Sequence, residues 1–307
     1  MTDVHLVLRA GALNGETPTW CTARQRLFWV DIRAPALHAF DPATGQDASW
    51  HMPAWIGCYG LTRRGAVVAL RTGLFEFDLD TGALVFLAPP PFDPRRFAFN
   101  DGRCAPGGRF FAGTMYHPLP PGDQQREAAQ ATPLWRYEED GSWHGVTPSV
   151  HTSNGLAWSP DGRTMYHSDT KARTIWAWDY DLESGAAAKR RVFVRMEDLP
   201  DQAGPDGANV DSDGFYWCAV YGAGVLRRYD PDGRLEREVQ LPVRYPTMPA
   251  FGGSGFDTIY VTSANWSLTE QERHQQPDEG GLFAMPAPVP GLPEPNVARA
   301  ALHPNGG

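Results

Sequence analysis

A pattern that returns six times along the chain constrains its fold more than any other feature. Each copy holds a short aromatic or β-branched strand, a few small or polar residues, a second strand and an acidic-glycine turn. The first three copies read Leu27-Phe-Trp-Val-Asp-Ile with Ala36-Leu-His-Ala-Phe-Asp, Ala66-Val-Val-Ala-Leu with Gly73-Leu-Phe-Glu-Phe-Asp, and Arg109-Phe-Phe-Ala-Gly-Thr with Pro133-Leu-Trp-Arg-Tyr. The second three read Thr164-Met-Tyr-His-Ser-Asp with Thr174-Ile-Trp-Ala-Trp-Asp, Phe215-Tyr-Trp-Cys-Ala-Val with Gly224-Val-Leu-Arg-Arg-Tyr-Asp, and Thr258-Ile-Tyr-Val-Thr-Ser with Gly281-Leu-Phe-Ala-Met. Their starts fall roughly 40 to 55 residues apart, a spacing that suits one four-stranded blade per repeat. The reading is an all-β, six-bladed β-propeller with antiparallel blades around a central channel, one domain over residues 1–307.

Local chemistry agrees. Asp41-Pro-Ala-Thr-Gly45, Asp78-Leu-Asp-Thr-Gly82, Asp181-Leu-Glu-Ser-Gly185 and Asp230-Pro-Asp-Gly233 predict hairpin turns closed by an Asx residue and a left-handed glycine. Phe75, Phe77 and Leu79 alternate with Glu76 and Asp78 at the period of a strand. A propeller exposes sheet edges unless its ring closes, and Val4-His-Leu-Val-Leu-Arg9 is the expected closing strand of the last blade. Residues Pro286 to Pro295 read as the exit from that blade, Asn305-Gly-Gly307 as a frayed end, and Tyr116 to Ala131 as an insertion over the ligand face. A seven-bladed ring of Trp-Asp repeats is excluded, because Trp178-Asp179 does not recur at repeat spacing.

Charge and composition remove several function classes. Lys and Arg number 27 against 36 Asp and Glu, and the resulting net charge of −9 repels phosphate backbones and anionic lipid. Nucleic acid and membrane partners are therefore not expected. Met1 to Arg9 show no basic and apolar leader, and no stretch approaches a membrane span, so the expected location is cytoplasmic. Cys21, Cys58, Cys104 and Cys218 lack any Cys-x-x-Cys spacing and read as reduced packing thiols. A closed ring needs no partner for stability, which makes a monomer the default.

Inner strands of a propeller converge on the channel, so polar groups at equivalent blade positions can meet from far apart in sequence. Asn14-Gly-Glu16-Thr-Pro-Thr-Trp20, Phe99-Asn100-Asp101-Gly102, Thr152-Ser-Asn154-Gly-Leu156 and Gly204-Pro-Asp206-Gly-Ala208 occupy such positions, each about ten residues before an aromatic strand. Any one alone is an ordinary turn sequence. Together they bring Glu, Asn and Asp oxygens to one axis, with more negative charge than can stay unpaired, and a divalent cation is the physical answer. Ca²⁺ is the first choice, with Mg²⁺, Mn²⁺, Zn²⁺ and Fe²⁺ as alternatives. Tyr116 and His117 follow the inner strands of the third repeat and are candidates for the pocket border, while Asp169 and Asp211 read as packing or turn residues.

These clusters, in this order, resemble the gluconolactonase, regucalcin and senescence-marker-protein family over nearly the whole chain. The matching stretches include Gly15 to Trp20, Asn100 to Met115, Ser153 to Gly162, Pro205 to Gly207 and Asp257 to Ser263. The resemblance implies that Glu16, Asn154 and Asp206 bind the metal and that Asn100 and Asp101 sit beside the substrate. It implies a sugar lactone as substrate and hydrolysis to the aldonic acid, with Asp206 or a metal-bound water near it as base and Asn100 orienting the ring oxygens. A promiscuous metal-dependent esterase or phosphotriesterase, or a non-catalytic calcium-binding regulator, are the alternatives. The chain departs from the family at Ala98, where lactonases of this kind place a substrate-holding Arg two residues before the Asn. Arg95 and Arg96 are the nearest cations in sequence, and Tyr116-His117-Pro118 replaces an acidic substrate contact.

Overall fold

A computed structural model describes residues 3–119 and 130–298. Most of the anticipated Tyr116 to Ala131 insertion, and the whole of Asn305 to Gly307, lie outside the described residues. The chain forms six four-stranded antiparallel sheets arranged as a propeller. Blade one is Gly15–Cys21, Arg26–Asp31, Ala36–Asp41 and Gln46–His51, and blade two is Ile56–Leu61, Gly65–Leu70, Gly73–Asp78 and Leu84–Ala88. Blade three is Phe97–Cys104, Phe110–Tyr116, Trp135–Tyr137 and Trp143–Gly145, and blade four is Ser153–Trp158, Thr164–Asp169, Thr174–Tyr180 and Ala187–Arg195. Blade five is Gly204–Val210, Tyr216–Tyr221, Val225–Tyr229 and Leu235–Gln240. Blade six takes Pro246–Gly252, Thr258–Ser263 and Leu282–Pro286 from the end of the chain and borrows His5–Leu8 from its start, pairing Leu6 with Phe283. That borrowed strand closes the ring and covers an edge that would otherwise invite pairing.

The core is not one mass but six apolar layers, one at each contact between neighbouring blades. Blades one and two share Phe28, Val30, Leu37, Tyr59, Val68 and Leu70. Blades five and six share Trp217, Leu226, Phe251, Ile259 and Phe283, and the ring closes where Trp20, Leu27 and Trp29 meet Tyr260 and Leu282. This is why aromatic and β-branched residues recur in every repeat: the inner strands of each blade are buried between neighbouring sheets, where large stiff side chains fill the wedge, while outer strands such as Gln46–His51 and Leu235–Gln240 are largely exposed. The expected hairpin turns form as read. Gly45 at φ +71° donates to Asp41 O at 2.8 Å, and Gly82 at φ +74° donates to Asp78 O at 2.8 Å. The four cysteines form no disulfide. Among the described residues one short helix, Glu270–Gln275, interrupts the β pattern, started by a capping box between Thr269 and Glu272. Among the described residues no helix is long and apolar enough to cross a membrane.

After Pro286 the chain does more than leave the last blade. Residues 287–298 cross the end of the channel where the inner strands finish. Ser212 N donates to Pro290 O at 2.9 Å, Val297 N to Leu61 O at 2.8 Å, and Ala298 N to Gly108 O at 2.9 Å. Beneath this strap Glu294 meets Arg103 at 3.2 Å. The prolines suit a segment that crosses strand ends without donating to a sheet.

Candidate active site

All six inner strands carry a bulge near their first turn of pleat. Three steps from Glu16 to Thr19 face two from Val30 to Phe28, so one extra residue is inserted. The same shift falls between Ile56 and Cys58, Phe99 and Gly102, Asn154 and Ala157, Pro205 and Ala208, and Pro246 and Met248. A bulge re-aims the side chains beside it. Here it does so at the same height in every blade, and those side chains include Glu16, Asn100, Asp101, Asn154 and Asp206.

The five are gathered in the channel and nearly shut off from solvent, with exposures of 5% for Glu16, 7% for Asn100, 2% for Asp101, 4% for Asn154 and 7% for Asp206. Burial lifts the Glu16 carboxyl well above the usual range, and the charges of Asp206 and Asp101 lift it further. Asp206 is raised in the same way, first by burial and then by Asp101. Burial also raises Asp101, with Arg103 pulling it back. Three carboxyl groups taken out of water within reach of one another favour either protons or a cation.

A chain of amides and hydroxyls fixes the neighbouring groups. Asn100 Nδ2 donates to Ser153 O and to Asn154 Oδ1, both at 2.9 Å. Asn154 Nδ2 donates to Thr170 Oγ1 at 2.8 Å, and Thr170 passes its own proton to Pro205 O at 2.8 Å, one residue before Asp206. The Asn154 oxygen is thereby held toward Asn100 of blade three and its nitrogen toward Thr170. Asp101 binds blade three to blade four, its Oδ2 accepting from Leu156 N at 2.9 Å, while its buried Oδ1 has no hydrogen-bond partner. Among the described residues no three His, Cys, Asp or Glu side chains form a metal-holding group. The set built here is two carboxylates and one amide, Glu16, Asp206 and Asn154, with Asn100 and Asp101 beside them.

Asp169 and Asp211 are structural, as their sequence context suggested. Asp169 accepts from His151 N and Thr152 N, matching Asp31, which accepts from Leu13 N and Asn14 N before blade one. Asp211 is buried against Arg228 and Trp217. Tyr116 is half-buried with its ring edge against Phe97 at 5.5 Å.

The open mouth is ringed by the residues that follow each second strand. In five blades the first of these donates to the carbonyl just before the inner strand: Ile32 to Asn14, Arg71 to Trp55, His117 to Arg96, Thr170 to Thr152 and Ala264 to Tyr245. This places Arg71 and His117 at equivalent heights on adjacent blades, with Arg33 one residue further on blade one. The His117 ring lies 4.4 Å from that of Trp55, and its Nδ1 lies 3.3 Å from Arg71 Nη1. Tyr221, at the end of the second strand of blade five, is pushed up to about 12 by burial and then by Asp206, while Arg33 pulls it back. Mouth and channel groups thus sense one another. Arg71 and Arg33 escaped the sequence reading, although Arg71, just after the second strand of its repeat, occupies the position that singled out His117. Ala98 is buried in its strand, and Arg95 does not replace the family Arg: its side chain is 83% exposed and pairs with Asp93 at 3.0 Å.

Fold and site together define a six-bladed propeller whose inner strands gather an oxygen-rich, carboxylate-bearing cluster, with residues 287–298 crossing the far end. Residues 14–265 match the family model described as the SMP-30/Gluconolactonase/LRE-like region, and the chain belongs to that family. It is 38% identical to the 6-deoxy-6-sulfogluconolactonase of Pseudomonas putida, over 95% of this chain and 97% of that protein. It is 33% identical to regucalcin of Sus scrofa, over 94% and 96% of the two chains. Among solved structures it resembles a calcium-binding protein, regucalcin, from Agrobacterium tumefaciens, with a TM-score of 0.87 and 27% identity over 97% of this chain and 98% of that one.

Proposed function

We propose that the protein is a metal-dependent sugar lactonase that opens an aldonolactone to the aldonic acid, with Glu16, Asn154 and Asp206 holding one divalent cation. The observation that carries this is the convergence of Glu16 and Asp206, two buried carboxyls whose proton affinities burial raises and of which Asp206 raises Glu16 further, beside the Asn154 amide fixed by Asn100 and Thr170. Hard oxygen donors of this kind fit Ca²⁺, Mg²⁺ or Mn²⁺, and the like charges that burden the site without a cation are offset by one. Bound there, such a cation supplies Lewis-acid polarisation of the lactone carbonyl.

The chain's own groups do the rest. Asn100, locked by its two donated hydrogen bonds, positions the sugar ring. Asp206 takes a proton from the attacking water as the new C–O bond forms at the carbonyl carbon. The tetrahedral centre then collapses, the ring C–O bond breaks, and the ring oxygen receives that proton to become the hydroxyl of the open acid. The strap of residues 287–298 limits entry to the opposite end, which keeps the buried carboxyls poorly hydrated.

The test is pH-indicator hydrolysis of glucono-, galactono-, xylono- and arabinono-lactones beside an aryl phosphotriester, on metal-stripped protein with single cations restored. Lactone opening that returns with one cation and disappears in Asp206→Ala supports the reading. Phosphotriester turnover exceeding that of every lactone would replace it with an esterase, and no turnover with any cation would leave a non-catalytic binding protein.

A further inference from the structure

Four arginines are buried among the described residues, and three of them meet carboxylates. Arg103 pairs with Glu294, Arg227 with Asp198 and Glu238, and Arg228 with Asp211 and Glu236. Arg71, only 7% exposed, is different. Its Nε donates to Pro94 O at 2.6 Å, its Nη2 to His117 O at 2.6 Å, and its Nη1 lies 3.3 Å from His117 Nδ1. All three partners are neutral. A buried cation without an opposite charge is unfavourable unless something else supplies one.

A second guanidinium stands close by. Arg33 lies 5.0 Å from the Trp55 ring centroid and 4.0 Å from that of Trp266, and Arg71 lies 5.6 Å from the same Trp55 ring. No carboxylate lies within ion-pair distance of either among the described residues. His117 reports their combined field: burial, then Arg33, then Arg71, push its imidazole down to about 4. On a chain of net charge −9, the mouth over blades one to three is locally positive.

We propose that Arg33 and Arg71, backed by Trp55 and His117, form an anion-holding subsite at the channel mouth, and that the substrate is a sugar lactone bearing an anionic group at the end remote from its carbonyl. The inference rests on the lactonase reading and narrows it to a substrate class. The planar guanidinium fork matches the oxygens of a carboxylate, sulfonate or phosphate, and stacking on indole rings holds the fork in place. The vertical order suits this. Arg71 and His117 follow the second strands, at the mouth, whereas Glu16, Asn154 and Asp206 lie on the inner strands inside the channel. The lactone carbonyl therefore enters toward the carboxyls while the anionic end stays beside the arginines, away from like charge. Ala98 leaves the family's usual cation out of blade three, and Arg71 brings one from blade two.

The experiment compares kcat/KM for glucono-lactone with the same lactone carrying carboxylate, sulfonate or phosphate on its terminal carbon. The anionic substrates are expected to lead by about 100-fold, with most of the difference in KM, and the lead is expected to shrink with added salt. Their rank names the anion. Arg71→Gln lowers the anionic-to-neutral ratio by about 30-fold and Arg33→Gln by about 10-fold, Arg71→Lys restores part of it, and the solvent-exposed Arg95→Gln leaves the ratio where it was. A wild-type protein with no preference, or an Arg71→Gln variant that loses both substrates equally, overturns the proposal. Thermal melts accompany each variant, and if Arg71→Gln does not fold, Arg33→Gln carries the test.

Binding separates this proposal from the reading beneath it. Glucitol phosphate has the anionic end but no lactone, and calorimetry is expected to show it binding well above glucitol, with the difference lost in Arg33→Gln. If that holds while no lactone is opened, the lactonase reading fails and the subsite stands. If lactones are opened without regard to charge and glucitol phosphate binds no better than glucitol, the subsite fails alone.

Discussion

Asn100 Nδ2 lies 2.9 Å from Asn154 Oδ1, joining blade three to blade four at the height where both inner strands bulge. Because Thr170 Oγ1 takes the Asn154 nitrogen at 2.8 Å, the Asn154 amide has one satisfied orientation, with its oxygen toward Asn100. Thr170→Val removes the acceptor that sets this orientation without touching a proposed ligand. The expected result is a cation affinity about 10-fold weaker, since outer groups that orient a ligand typically contribute 10- to 100-fold. Calorimetric titration of metal into stripped wild type and variant measures it, and equal affinities would separate Asn154 from cation binding.

Glu16 gives a prediction in which two readouts move in opposite directions. Its carboxyl is buried with Asp206 and Asp101, and without a cation these groups oppose one another. Glu16→Gln is therefore expected to raise the melting temperature of the metal-stripped protein by roughly 2–4 °C, about what 1 kcal/mol or so produces in a protein of this size. If Ca²⁺ binds as proposed and stabilises the wild type, the same change should abolish that additional stabilisation, because one charged donor is gone. Differential scanning calorimetry with and without the ion reads both. A stripped variant less stable than stripped wild type would count against the clustered-charge account.

The propeller was legible because every blade repeats the same requirement, inner strands buried on both faces, and four blades add an Asx-glycine turn before the outer strand. Glu16, Asn154 and Asp206 were legible for the same reason, since they stand at equivalent places in their repeats. Arg71 was not. It sits alone between Leu70 and Thr72-Gly73, in no polar cluster, and gains significance only when the ring brings it to His117 and Trp55. The bulges are equally hidden, because an extra residue shows only against the partner strand. Pro286 to Pro295 read as an exit from the last blade, but composition carries no information about where a departing segment next lands. In the structure it lands across the far end of the channel.

His167 provides a prediction about pH. It is wholly buried, its Nε2 is 2.8 Å from Ser153 Oγ, and burial pushes it down to about 4 from an ordinary 6.5. Above pH 6.5 the ring is neutral in both folded and unfolded chains, and its contribution to stability is fully present. Between 6.5 and 4 the unfolded chain takes up a proton that the folded chain refuses, so stability falls as the pH falls. From pH 7.5 to pH 5 this amounts to about 2 kcal/mol. His167→Asn should flatten that part of the curve, and the wild-type minus variant difference across the two pH values in urea melts is the quantity to measure. Parallel curves would mean that His167 does not titrate differently on folding.

The strap across the channel makes the last prediction. Glu294 Oε1 meets Arg103 Nη2 at 3.2 Å beneath the carboxyl cluster, and Arg103 is only 6% exposed. Removing one partner of a buried pair leaves the other charge stranded, which typically destabilises by 3–5 kcal/mol, whereas replacing both by apolar groups of similar volume is often neutral. Glu294→Leu alone should therefore destabilise by about 3 kcal/mol, the low end of that range, because Asp101 also interacts with Arg103. Adding Arg103→Met should recover much of the loss in the metal-bound protein. The double variant has a second consequence. Arg103 holds down the proton affinities of Asp101 and Glu16, so without it those carboxyls keep protons more readily, and cation binding should weaken more steeply as the pH falls. Cation titrations at two pH values test this, and a double variant with the wild-type pH dependence would show that the strap closes the channel without tuning the site above it.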